Sequence, residues 1–207
     1  MKGKKGLLVS FEGIDGAGKT TLIKALEKSF PDQEILVLRE PGGARLSEKI
    51  RELLLDTANR DMLERTEAFL YASARSQVVG ECLRPALQAG KIVFLDRYID
   101  STIAYQGYGR GLDISFLTSL NDLASDQLMP DITFLLDLEP QVAQRRQGEK
   151  IADRLESEGR EFTIRVRNGY LEIARQNPER IVVLDGKCPV EKLSALAAKE
   201  IIRRFMS

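Results

Sequence analysis

Leu7-Leu-Val-Ser-Phe-Glu-Gly-Ile-Asp-Gly-Ala-Gly-Lys-Thr-Thr21 is the stretch that decides how the rest of the chain is read. Gly13 to Thr20 spell G-x-x-x-x-G-K-T, a phosphate-binding P-loop. Gly13, Gly16 and Gly18 let the backbone turn tightly and approach a polyphosphate with no side chain in the way. The loop N–H groups then point inward, and a helix starting near Lys19 adds its positive end. Lys19 is placed to reach the β- and γ-phosphates of a nucleotide such as ATP, and the Thr20 hydroxyl to ligate Mg²⁺. Ile14, Asp15, Ala17 and Thr21 complete the expected phosphate cradle. The context supports the motif: an apolar run, Leu7 to Phe11, precedes it, and Leu22, Ile23, Leu26 and Phe30 recur behind it at helical spacing.

Four more short apolar runs follow: Ile35–Leu38, Ile92–Leu95, Ile132–Leu136 and Ile181–Leu184. They are continuous rather than alternating, as strands buried on both faces are. Helical stripes separate them: Leu46, Ile50, Leu53 and Leu54; a long segment from about Leu63 to Gln88, with Pro85 a kink and Gly90 a stop; Phe116, Leu117, Leu120 and Leu123; and Val190, Leu193, Ala197, Ile201 and Phe205. Strands alternating with helices predict a parallel sheet with crossovers, a three-layer α/β fold. With no repeat or linker, residues 1–207 read as a single domain.

Three of the runs end in aspartate, at Asp96, Asp137 and Asp185. Ligands of such sheets sit beyond the carboxyl ends of the strands, which puts each aspartate on the functional rim. Asp96 is followed at once by Arg97-Tyr98, a carboxylate and a guanidinium suited to Mg²⁺ and a phosphate respectively. Asp137 and Asp185 read as caps or loop anchors. The 31 basic and 31 acidic residues cancel, so bulk charge points to neither nucleic acid nor membrane. Histidine is absent, which removes the commonest general base and metal ligand. Cys82 and Cys188 are far apart and read as small core hydrophobes. With no signal peptide or long apolar span, a cytoplasmic protein is expected.

Taken together, Phe11-Glu-Gly-Ile-Asp-Gly-Ala-Gly-Lys-Thr-Thr21, Arg39-Glu-Pro-Gly-Gly43, Thr66-Glu-Ala-Phe-Leu-Tyr-Ala-Ser-Ala-Arg75, Asp96-Arg-Tyr98, Ser101-Thr-Ile-Ala-Tyr-Gln-Gly107 and Asp153-Arg-Leu-Glu156 resemble the bacterial thymidylate kinases. The resemblance runs in register over essentially the whole chain. It implies a five-stranded parallel sheet of the P-loop nucleoside monophosphate kinase group, a homodimer, and phosphorylation of dTMP to dTDP by Mg·ATP. The acceptor is an anionic phosphate oxygen, so a chain without histidine is no obstacle; the chemistry needs alignment of two phosphates and cations around the gap.

By family position, Lys19 and Asp96 serve the donor, with Thr20 and Asp96 holding the metal, while Arg75 and Arg97 hold the acceptor phosphate. Tyr71, where the family usually has Phe, stacks on thymine one helical turn from Arg75. Thr102 and Gln106 meet the polar edge of the base, and Tyr105 lines the deoxyribose side. Read without the family, 101–106 is a capped helix start. Glu40 and Pro41 wall the sugar, and Asp15 resembles the carboxylate that meets the 3′-hydroxyl. The charge-rich segment 139–161, with Arg145, Arg146, Lys150, Asp153, Arg154 and Glu156, reads as a surface helix or as a lid over ATP. The family supplies a cation to the transferring phosphoryl group from the P-loop or from the lid. Gly16 stands at the P-loop position, so the lid is expected to supply it, through Arg154 first, Arg146 second, and Arg145 as the remaining choice. A GTPase switch is disfavoured because no Asn-Lys-x-Asp stretch occurs. Another nucleoside monophosphate or deoxynucleoside kinase, or a non-catalytic nucleotide-binding module, are the competing readings.

Overall fold

A computed structural model describes residues 6–148 and 153–205. Of the expected lid, residues 149–152, Lys150 among them, lie outside the described residues. Five parallel strands, β1 (Leu7–Glu12), β2 (Ile35–Arg39), β3 (Ile92–Asp96), β4 (Ile132–Asp137) and β5 (Ile181–Asp185), form one sheet in the order β2-β3-β1-β4-β5. Each strand runs one residue beyond its apolar run and takes in the polar residue at its carboxyl end. β1 lies in the centre and is buried throughout. The edge strands differ from expectation: Val37 on β2 and Val183 on β5 are exposed, because an edge has no neighbour to shield its outer residues.

Alternation along the central strands sorts side chains into two layers. Val9, Phe11, Ile92, Phe94, Ile132 and Phe134 face one way, onto α1 (Lys19–Glu27), α8 (Arg160–Gln176) and α9 (Val190–Phe205). Phe11 makes an edge-to-face contact with Phe94 at 5.4 Å and a tilted one with Phe134 at 5.8 Å, directly before the P-loop. Leu8, Val93 and Leu95 face the other way, onto the helical segment that contains Val79, Leu83 and Ala86.

Between Leu63 and Gln88 the expected long helix is present in three parts: α3 (Glu64–Val78), a π-helical turn (Val79–Leu83) and α4 (Arg84–Gln88). The widened turn lies just before Pro85, whose missing N–H removes one ladder hydrogen bond. Gly90, at φ 79°, ends the run. The remaining helices are α2 (Arg45–Leu55), α5 (Ile99–Thr102), α6 (Ile114–Ser125) and α7 (Pro140–Gln147). Residues 101–106 are not one capped helix start: α5 passes into a second π-helical turn, Ile103–Gly109. The helix that sequence reasoning missed is α8, although Phe162, Val166, Tyr170 and Ile173 give it a buried stripe at helical spacing.

Removing the Phe134 ring would empty space beside Phe11 that the surrounding strands cannot close. Phe134→Ala is expected to lower unfolding free energy by about 3–5 kcal/mol, read from urea denaturation.

Candidate functional site

Sheet register sets the frame of the site. Arg39 on β2 is level with Asp96 on β3, and Asp96 with Phe11 on β1, one residue before Glu12 and two before the P-loop. The loop then turns through positive φ at Gly13 (135°), Gly16 (80°) and Gly18 (104°). A Cβ on Gly13 would stand 2.5 Å from the Leu136 carbonyl oxygen, so glycine is required twice over, by conformation and by space. Gly18 caps α1 without a side chain, which leaves the first-turn N–H groups of the helix for an anion. Lys19 Nζ donates to the Gly13 and Ile14 carbonyls at 3.1 and 3.3 Å. Burial, with Arg97 nearby, holds its pKa below the ordinary lysine value. The Thr20 hydroxyl donates to Asp96 Oδ2 at 2.9 Å, bringing the two expected metal ligands together.

A broad cleft opens above this loop. Asp15, Gly16, Ala17, Gly18, Lys19, Thr20, Thr21, Asp96 and Arg97 line it as expected, and Gly13 and Ile14 lie beneath it as carbonyl acceptors. Arg39, Arg51 and Arg146 line it too. Leu136, Cys188, Val190 and Leu193 give it an apolar end next to Gly186. Cys188 is therefore a cleft residue at the edge of the core, and Cys82 is also only half-buried. Asp137 pairs with Arg167 at 2.6 Å and Asp185 accepts the Lys187 N–H at 3.0 Å, so both are anchors outside the cleft.

A second, narrower cleft adjoins the first. Asp15, Glu40, Pro41, Tyr71, Arg75, Arg97, Thr102, Tyr105 and Gln106 all line it, together with Arg51, Leu55, Ser101 and Asp153. Arg75, however, is not brought to the P-loop. Its guanidinium is buried and donates to Glu40 Oε2 (2.8 Å), Thr102 Oγ1 (3.0 Å), Asn121 Oδ1 (2.5 Å) and the Tyr98 carbonyl (3.1 Å). Those partners fix it in the wall of the second cleft. Besides Lys19, the cations that share the P-loop cleft with Arg97 are Arg39, Arg51 and Arg146, and sequence reasoning missed the first two of these arginines. Arg39 stands in the Arg-Glu-Pro-Gly-Gly stretch at the end of a strand, which is the signal that could have found it. Tyr71 is half-buried, and burial with Glu67 nearby raises its hydroxyl pKa.

Arg97 joins the two clefts. Its backbone is left-handed (φ 69°). Its guanidinium donates to Asp15 (2.6 Å), Tyr105 Oη (3.0 Å), Tyr170 Oη (3.0 Å) and the Gly13 carbonyl (2.9 Å). Burial alone would raise the Asp15 pKa, but Arg97 and Lys19 outweigh it and hold the carboxyl well below the usual range. Glu12 behaves oppositely. It is fully buried and accepts from Ser101 Oγ (2.6 Å), Tyr170 Oη (2.9 Å) and the Tyr98 N–H (2.8 Å). Burial and neighbouring Asp100 push its pKa up to about 7 against the pull of Ser101 and Arg97. Glu12, Ser101 and Tyr170 were not legible as site residues.

The two expected lid arginines part company. Arg154 is 4% exposed; its Nη2 pairs with Glu67 at 2.6 Å and its Nε donates to the Leu54 carbonyl at 2.8 Å. The structure thus does not bring Arg154 to the P-loop. Arg146, on the last turn of α7, lines the P-loop cleft, whereas Arg145 beside it does not.

A family model described as "Thymidylate kinase" matches residues 11–196. The chain is similar to the thymidylate kinase of Thermoanaerobacter sp. (strain X514), 48% identical over 184 residues that cover 88% of this chain and 90% of the relative. It is 47% identical over 200 residues to that of Caldanaerobacter subterraneus subsp. tengcongensis, covering 95% of each. The crystal structure of thymidylate kinase from Ehrlichia chaffeensis superposes with a TM-score of 0.75 at 34% identity, covering 96% of this chain and 99% of that one.

The raised pKa of Glu12 has a signed consequence. The folded state holds this proton to about pH 7, while an unfolded glutamate loses it near its ordinary value of 4.5. The contribution to stability is full below about 4.5 and is lost as pH rises through 7, a swing on the order of 3 kcal/mol. Glu12→Gln, neutral throughout, is expected to remove that slope. Urea denaturation of both proteins from pH 5 to pH 8 checks this, and parallel pH profiles would refute it.

Proposed function

The chain belongs to the thymidylate kinase family and phosphorylates dTMP to dTDP with ATP as donor, and we propose that its two clefts divide this work. The P-loop cleft takes the triphosphate of ATP, and the narrower cleft takes dTMP. The observation that carries this reading is the shared wall: Asp15, Glu40, Arg51 and Arg97 line both clefts, so donor and acceptor phosphates would meet there. Lys19, Arg39, Arg51, Arg97 and Arg146 then surround the meeting point with positive charge. This offsets the repulsion between two anions and follows the charge of the moving phosphoryl group. The acceptor oxygen is already anionic, so no general base is required.

In this reading the apolar end beside Leu136, Val190 and Leu193 takes the purine of ATP. The Tyr71 ring covers one face of thymine while Thr102 and Gln106 meet its polar edge. Asp15, oriented by Arg97 and Tyr105, faces the 3′-hydroxyl. Arg75 holds Glu40 and Thr102 in place, rather than gripping phosphate. Mg²⁺ would be held by Thr20 and Asp96. Their oxygens are adjacent, and among the described residues no group of three or more His, Cys, Asp or Glu forms a dedicated metal cage. That suits an ion bound by one or two protein oxygens together with substrate oxygens. The ion would neutralise phosphate charge. Residues 1–207 act as one kinase domain, with 139–161 as the lid.

No helix among the described residues is long and apolar enough to cross a membrane. The proposal includes a cytoplasmic location and a homodimer, with no nucleic-acid or membrane partner. Leu46 and Leu53 on α2, Leu63 and Phe69 at α3, and Leu123 on α6 expose apolar side chains on three neighbouring helices, more than a solvated face needs.

Two measurements test these assignments. Arg146→Ala is expected to lower kcat by roughly 100-fold or more with little change in dTMP affinity, since its charge acts mainly in the transition state. Arg154→Ala should instead lower thermal stability, because it strips a buried pair. Steady-state ADP release with dTMP and Mg·ATP, alongside dTMP titration, separates the two; an Arg146→Ala kcat within a few-fold of wild type would return the role to Arg154. For the dimer, light scattering at micromolar concentration is expected to give twice the chain mass, and Leu123→Glu to give the monomer. A monomeric wild type overturns that part.

A further inference from the structure

Glu67 stands outside both clefts and has no part in the phosphate chemistry, yet it is completely buried on α3. A carboxylate in that position needs donors around it, and all its partners are donors. Arg110 approaches from the end of the π-helical turn at 3.1 Å, and Arg154 from the base of the lid at 2.6 Å. Gln106 Nε2 donates to Glu67 Oε1 at 2.8 Å. Arg110 is itself fixed by Glu158 at 2.6 Å and by the Phe162 ring, 5.0 Å from its guanidinium carbon.

We propose that Glu67 sets base specificity by fixing which end of the Gln106 side-chain amide faces the pyrimidine. The logic is donor and acceptor counting. Between two guanidinium groups the carboxylate acts only as an acceptor, so a reversed Gln106 amide would set its carbonyl oxygen against a carboxylate oxygen. The amide N–H₂ is therefore turned to Glu67, and the carbonyl oxygen remains for the substrate cleft that Gln106 lines. A fixed acceptor recognises a ring N–H. Thymine and uracil carry one at N3; cytosine carries a bare lone pair there. Glu67 is thus a positioning residue that builds rejection of cytosine nucleotides into the cleft without touching the base. The inference rests on the reading that Gln106 faces the polar edge of the base.

The test compares dTMP, dUMP and dCMP by kcat/KM and by calorimetric binding, in wild type, Glu67→Gln and Gln106→Met. A glutamine at 67 offers both donor and acceptor, so the Gln106 amide is free to turn over. The dTMP-to-dCMP preference of Glu67→Gln is expected to fall about 10-fold or more, through dCMP binding, whereas the dTMP-to-dUMP ratio stays unchanged because both bases carry the N3–H. Gln106→Met is expected to lose the same preference. If Gln106→Met discriminates like wild type, the reading of Gln106 fails. If Gln106→Met loses discrimination and Glu67→Gln keeps it, the positioning role fails. Should Glu67→Gln not fold, Glu67→Gln/Arg110→Gln removes one charge of each sign from the cluster and carries the same measurement and expectations.

Discussion

The contact on which both clefts depend is the partly buried guanidinium of Arg97 against Asp15, with the Gly13 carbonyl, the Ser101 hydroxyl and two tyrosine hydroxyls as its other partners. A left-handed backbone at a non-glycine residue costs on the order of 1–2 kcal/mol, and charge-assisted hydrogen bonds in a partly buried site offset it. The result is a rigid joint. Arg97 reaches from the end of β3 to the P-loop, to the π-helical turn through Tyr105 and to α8 through Tyr170. Neither cleft can shift without disturbing the other, which is what an alignment-driven phosphoryl transfer needs.

The same joint explains why two carboxylates three residues apart behave oppositely. Asp15 lies beside the Arg97 and Lys19 charges, which outweigh its burial, and stays ionised far into acid. Glu12 lies one layer deeper, where burial dominates and Asp100 adds repulsion, although Arg180 engages Asp100 through both carboxylate oxygens. Glu12 accepts the Tyr98 N–H, so it also fixes the residue that follows Arg97. The polar face of β1 is thus an ordered hydrogen-bond network beneath the P-loop rather than a lapse in the core.

How far the sequence reached depended on whether a feature is local. Glycine spelling states backbone geometry directly, so Gly13, Gly16 and Gly18 could be read without a structure. Continuous apolar runs marked all five strands: the three central ones are buried on both faces, and the edges β2 and β5 keep the same apolar spelling although Val37 and Val183 are exposed. Side-chain destinations were less legible, since they depend on partners distant in sequence. Arg75 and Arg97 look equally suited to a phosphate, but Arg75 meets Glu40, Thr102 and Asn121 and is committed to them. Arg154 reads as the first choice for the lid cation and Arg146 as the second, and the difference the structure adds lies in Glu67. Charge density across 139–161 also drew the reading toward solvent and away from α8, whose Tyr170 reaches the Arg97 joint.

Glu67 ties down the chain that leads into α8. Arg154 bridges Glu67 and the Leu54 carbonyl, and Arg110 ties the same glutamate to Glu158. A planar guanidinium can serve a carboxylate and a carbonyl at once, which a lysine ammonium on a flexible stem would do poorly. Arg154, the first choice on the family resemblance, is therefore engaged by a buried carboxylate and a backbone carbonyl. Arg146, exposed on the last turn of α7, stands at the rim of the P-loop cleft. Such a division is physically sensible. A cation that must follow a moving phosphoryl group cannot also be committed to a buried carboxylate, because breaking that pair would leave an uncompensated charge in the core.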